Sequence, residues 1–131
     1  MVDSVRDCHI GKNMKDSILR TKSYSFALRI LKLYQRLANE RREYVLSRQI
    51  LRSGTSVGAN IEEAGHAQSK ADFVHKLSVA LKEASETSYW LRLLRDGEIL
   101  ESRLAENLLL DCEELQRMLT ASIKTVKKAN G

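Results

Sequence analysis

The stretch Arg52-Ser53-Gly54-Thr55-Ser56-Val57-Gly58-Ala59-Asn60-Ile61-Glu62-Glu63-Ala64 constrains the fold of this chain more than any other. Its small and polar residues have the composition of a loop, yet their spacing is helical. Ile50, Gly54, Val57, Ile61 and Ala64 recur at the i, i+4, i+7, i+11 and i+14 positions of one helical face. A glycine inside a helix costs roughly 1 kcal/mol relative to alanine. Gly54 and Gly58 therefore predict a helix thinned where a neighbour presses close, with that packing offsetting the cost.

The chain has 131 residues and is 43% hydrophobic, the size of one domain with its own core. It has no proline, only 6 glycines and 30% charged residues, which favours long helices over a turn-rich β fold. A first helix is predicted over 17–39, with Ala27, Ile30, Tyr34 and Leu37 facing the core and Leu31 and Leu33 beside them. Ser47 is read as the N-cap of a second helix running to Ala64, with Gly65 as its C′ residue. Ser69-Lys70-Ala71-Asp72 resembles a capping box and opens a third helix, whose face carries Phe73, Leu77, Leu81, Ala84, Ser88 and Leu91. Asp96-Gly97 ends it, and Ser102 is read as the cap of a fourth carrying Leu104, Leu108, Cys112, Leu115, Leu119, Ile123 and Val126. Short connections between long amphipathic helices imply an all-α, antiparallel up-down four-helix bundle over residues 14–131. Residues 1–13 show no sustained period and read as a flexible arm or leader.

Lys and Arg outnumber Asp and Glu by 22 to 17, a formal net charge of +5 that suits an anionic partner. Cys8 and Cys112 are the only cysteines, consistent with reduced thiols in a cytoplasmic protein; no segment has the pattern of a signal peptide or a membrane span. Gly54-Thr55-Ser56-Val57-Gly58 lacks the glycine spacing and the Lys-Ser/Thr of a phosphate loop, since Ala59-Asn60 follows. His66 and His75 stand at no metal-ligand spacing, and no nucleophile adjoins a base. The expectation is a non-enzyme without metal or cofactor.

Three surfaces stand out. On the first helix Lys22, Arg29, Lys32 and Arg36 fall on one stripe, and 17–39 contains no acidic residue, a pattern suited to weak binding of RNA or DNA phosphates. The bland alternative is a solvated face with counter-charges on the third or fourth helix. Arg52, Ser56, Asn60 and Glu63 on the second helix should meet Lys76, Glu83, Glu86, Thr87 and Trp90 on the third. That cluster reads as a structural polar network, satisfied across helices or subunits, with a small-ligand enzyme site at Asn60, Glu63 and Glu83 as the rival. Tyr89 and Trp90, with Val79, lie off the apolar centre of the third helix and are expected at an oligomer interface or as anchors for a protein partner.

Two separated blocks, Ser56-Val57-Gly58-Ala59-Asn60-Ile61-Glu62-Glu63-Ala64 and Ala80-Leu81-Lys82-Glu83-Ala84-Ser85-Glu86-Thr87 followed by Tyr89-Trp90-Leu91, with Ser69 and Asp72-Phe73 between them, resemble the signature of the bacterial four-helix-bundle family named for 23S rRNA intervening sequences. The resemblance implies an antiparallel bundle assembled as a ring-shaped homopentamer. It also implies likeness to the accessory protein of diversity-generating retroelements, and so to association with nucleic acid and a reverse transcriptase.

Overall fold

The computed structural model describes residues 14–130, which form four helices: α1 (Met14–Glu40), α2 (Leu46–Ala64), α3 (Lys70–Asp96) and α4 (Ser102–Asn130). The arm expected over 1–13 lies outside the described residues. Each helix packs on the next in sequence, and α4 returns to α1, making an up-down four-helix bundle. The α1–α4 seam is much the loosest of the four.

The ends of the helices show how local chemistry sets the boundaries. Ser47 does not cap α2, because the Glu43 carboxylate already accepts the N–H groups of Val45, Leu46 and Ser47 at 2.7–3.1 Å. The Ser47 hydroxyl, one residue inside the helix, donates to the Glu43 carbonyl instead. Gly65 keeps a right-handed conformation (φ −64°) and closes α2 through ordinary turn hydrogen bonds, so no left-handed C′ position is needed. Ser69 is the cap of α3, accepting from the Asp72 N–H at 3.1 Å, while Asp72 accepts from the Gln68 N–H rather than that of Ser69. Ser102 is the first residue of α4, not its cap. At that end of the bundle the Arg41 guanidinium donates to the Ile99 carbonyl at 2.8 Å, tying the α1–α2 connection to the α3–α4 turn.

The α2 face is the one expected: Ile50, Gly54, Val57, Ile61 and Ala64 are all buried. A Cβ on Gly54 would stand 2.8 Å from Cγ2 of Ile30, so the thinning of α2 is real there. At Gly58 the nearest atom would be the Ser23 carbonyl oxygen at 3.4 Å, an ordinary contact. On α1 the buried stripe runs Leu19, Ser23, Phe26, Ile30, Leu33 and Leu37; Ala27 and Tyr34 are only half-buried and Leu31 is exposed. On α3 it runs Phe73, Leu77, Ala80, Ala84, Thr87, Leu91 and Leu94, leaving Leu81 and Ser88 at its edge. On α4, Ala105, Leu109 and Ser122 join Leu108, Cys112, Leu115, Leu119 and Val126, while Leu104 and Ile123 are partly buried.

Candidate functional surfaces

The basic stripe of α1 lies beside the core and faces α4. Arg29 pairs with Asp111 and donates to Asn107 at 2.8 Å; Lys22 reaches Glu114 at 3.2 Å; Arg36 pairs with Glu101 and, along its own helix, with Glu40. Lys32 makes no ion pair among the described residues. Long cationic side chains thus span the seam where helix backbones stay apart. A groove of about 190 Å³ runs beneath them, over Leu33, Leu104 and Leu108. Glu101 is held below the ordinary carboxylate range by hydrogen bonds from its own backbone N–H and from Arg36. Such exposed pairs are screened by solvent and add little to stability.

Between α2 and α3 a polar cluster forms from part of the expected set. Arg52 bridges Glu83, at 3.3 Å, and Glu86; the Trp90 indole N–H donates to Glu86 at 3.0 Å. Lys76 pairs with Glu63 at 2.8 Å. The charged pairs are therefore Arg52 with Glu83 and Glu86, and Lys76 with Glu63. The Trp90 hydrogen bond first, and Arg52 second, hold the Glu86 carboxyl below its usual range. Below this layer the buried hydroxyls of Ser53 and Thr87 share a hydrogen bond of 2.9 Å. Asn60 and Ser56 make no hydrogen bond across to α3 among the described residues: the Asn60 amide donates to the Ser56 carbonyl of its own helix at 2.9 Å. The cluster is a helix–helix clamp. The depressed Glu86 carboxyl suits a clamp better than proton transfer near neutral pH.

Two apolar surfaces are uncovered: one on α1 and α2 that sequence periodicity missed, and one on α3 that includes the expected Tyr89. The outward side of α1 between Arg20 and Arg41 carries Tyr24, Leu28, Leu31 and Gln35 at 4-3-4 spacing without a charge, and beside it α2 presents Leu51, Thr55 and Ala59. A groove of about 290 Å³ lies between them, floored by Ser23, Ala27 and Gly58 and closed at one end by the Arg20–Glu62 pair. On α3, Tyr89 and Leu93 stand out from the bundle as a ridge; Tyr89 packs edge-on against Trp90, with ring centroids 5.2 Å apart, and the Arg92 guanidinium sits 5.7 Å over its ring. Trp90 itself is partly buried against the core.

The remaining chemistry is sparse. Cys112 is buried, its thiol donates to the Ala84 carbonyl at 3.1 Å, and burial pushes its pKa up to about 12. Among the described residues no three His, Cys, Asp or Glu side chains converge as metal ligands, and no helix is long and apolar enough to cross a membrane.

Paired surface charges, a clamp between α2 and α3 and uncovered apolar faces define an all-α bundle built around helix packing. The chain belongs to the 23S rRNA-intervening sequence protein family, whose model matches residues 15–121. It is similar to the 1.70 Å crystal structure of a protein with unknown function from the S23 ribosomal protein family of Bacteroides thetaiotaomicron VPI-5482, at 52% identity over 85% of this chain and 99% of that one, with a TM-score of 0.84. No curated protein matches the chain.

Proposed function

We propose that this is a non-enzymatic, homo-oligomeric bundle, a cytoplasmic pentameric ring, that binds RNA or DNA weakly through basic surfaces. The observation that carries the nucleic-acid reading is the far half of α4: no acidic residue follows Glu114, and Arg117, Lys124, Lys127 and Lys128 occupy that half. Lys32 adds the cation of the α1 stripe that has no carboxylate partner among the described residues, whereas Lys22, Arg29 and Arg36 contribute less because α4 carboxylates already neutralise them. A ring repeats these weak contacts around one axis and lets several subunits hold one strand. The likeness to the retroelement accessory protein makes a reverse transcriptase the protein partner to test first.

Titration of labelled single-stranded and duplex RNA and DNA against salt tests the proposal. Binding should weaken as salt rises, and changing Lys124, Lys127 and Lys128 to Gln should lower the slope of log K against log salt by roughly 2–3 for each subunit that engages the strand. Changing Arg29 and Arg36 to Gln should have a smaller effect. Absence of binding at low salt, or binding indifferent to the lysine substitutions, refutes it. Light scattering should give about five times the 14.9 kDa chain mass.

A further inference from the structure

We infer that copies of this chain dock head to tail, the groove face of α1 and α2 on one copy receiving the Tyr89–Leu93 ridge of α3 on the next. This rests on the self-association proposed above and adds which surfaces meet. Tyr24, Leu28, Leu31, Tyr89 and Leu93 are between 40% (Leu31) and 68% (Tyr24) exposed. They fall into two sets on different sides of the bundle. One is concave, a groove over Ala27 and Gly58; the other is convex, an aromatic ridge braced by Trp90. Because the two faces lie on different sides of the bundle, a single two-fold contact cannot bury both, whereas a head-to-tail contact covers one of each at every interface.

Charge at the rims supports the same pairing and sets its direction. On the outer side of α2, Arg48, Thr55 and Glu62 succeed one another at intervals of seven residues; on α3, Lys82, Tyr89 and Asp96 do the same. Each triplet spans about 21 Å at the helical rise of 1.5 Å per residue. The two helices run antiparallel within a copy, and hence between copies arranged around one axis. With Tyr89 set opposite Thr55, Lys82 then meets Glu62 while Asp96 meets Arg48. Arg48 and Lys82 make no ion pair among the described residues, and Glu62 and Asp96 are largely exposed, each with a cation of its own chain on one oxygen only. Reversing the direction would set Lys82 against Arg48 and Asp96 against Glu62. The two faces are not back to back, because α3 adjoins α2, so successive copies turn in one sense, as closure into a ring requires.

The test uses two double variants of the full chain. Tyr24→Glu, in the groove wall, with Leu28→Glu beside it spoils the groove face and keeps the ridge; Tyr89→Glu with Leu93→Glu does the reverse. All four positions are exposed, so helicity by far-UV circular dichroism should match wild type. Each variant alone should be monomeric by light scattering, and an equimolar mixture should form a dimer through the one intact groove and ridge. Monomers that stay monomeric on mixing, or variants that keep the wild-type mass, overturn the inference while leaving self-association standing. A wild-type protein monomeric at every concentration removes self-association itself. Should a double variant unfold, the rims carry the test: Lys82→Glu should weaken assembly by about two- to fivefold and Glu62→Lys added to it should restore assembly, the scale of one surface ion pair. Failure of the second change to restore it refutes the proposed direction.

Discussion

Replacing Gly54 by alanine would measure how closely α1 and α2 are held. The added Cβ falls 2.8 Å from Cγ2 of Ile30, 2.9 Å from Cγ1 and 3.2 Å from Cβ. Ile30 is fully buried, and a β-branched side chain on a helix has essentially one χ1 rotamer, so it has nowhere to turn. Overpacking of this kind costs about 1–3 kcal/mol. Removing a helical glycine returns roughly 1 kcal/mol. Contacts below 3 Å put this clash in the upper part of that range, about 1.5–3 kcal/mol, so the net effect should be destabilisation by about 0.5–2 kcal/mol, or a fall of about 2–8 °C in Tm for a chain of this size. Gly58→Ala is the control: its Cβ meets Ser23 atoms at 3.4–3.6 Å, ordinary contact distances, so the propensity gain should dominate and stability should hold or rise. Ile30→Val cannot rescue Gly54→Ala, because valine keeps both Cγ atoms. Ile30→Ala removes them, and although it costs about 2–5 kcal/mol alone, the methyl at position 54 should refill part of the cavity and give a favourable coupling of about 1–2 kcal/mol in a double-mutant cycle. Urea unfolding at fixed protein concentration reads all five variants. If Gly54→Ala matches wild type or exceeds it, the helices are not in contact at this point and the reason for the glycine is lost.

Two further outcomes follow from the site geometry. Glu86 has a depressed pKa in the folded protein, so its stabilising contribution is present above the ordinary glutamate value of about 4.3 and is lost as pH falls through the folded value; Trp90 is the only tryptophan and donates to Glu86, so its fluorescence should report a midpoint below about 4.3 that Arg52→Gln moves upward, and an unmoved midpoint would detach Arg52 from Glu86. Cys112, with its thiol pushed up to about 12 and its side chain buried, should resist alkylation in the native protein at pH 8 and react on denaturation, as peptide mapping would show; rapid native labelling would contradict its packing.

The number of helices and their approximate limits were legible because they depend on local signals: the spacing around Gly54, the Ser69–Asp72 cap and the Asp96-Gly97 turn. Two of the core faces were displaced by a fraction of a turn for a definite reason. Ser23 and Thr87 lie in the buried stripes of α1 and α3, their hydroxyls donating to the Arg20 and Glu83 carbonyls of the preceding turn. A hydroxyl satisfied by its own helix can be buried cheaply, so a reading that treats Ser and Thr as polar rotates the stripe toward Tyr34 or Ser88. Electrostatics was less legible, because an ion pair depends on the register between helices far apart in sequence. Arg29 and Asp111 are 82 positions apart, yet the fold brings them together. That pairing changes the meaning of an acid-free helix: its cations bridge the α1–α4 seam, where the backbones stand too far apart for small side chains to close the gap. Among the described residues, positive charge without an ion pair is then concentrated at the end of α4, where Lys124, Lys127 and Lys128 follow Glu114 with no acidic side chain between. A search for an anionic partner should therefore begin at Lys124, Lys127 and Lys128, and only afterwards at the stripe that the sequence makes conspicuous.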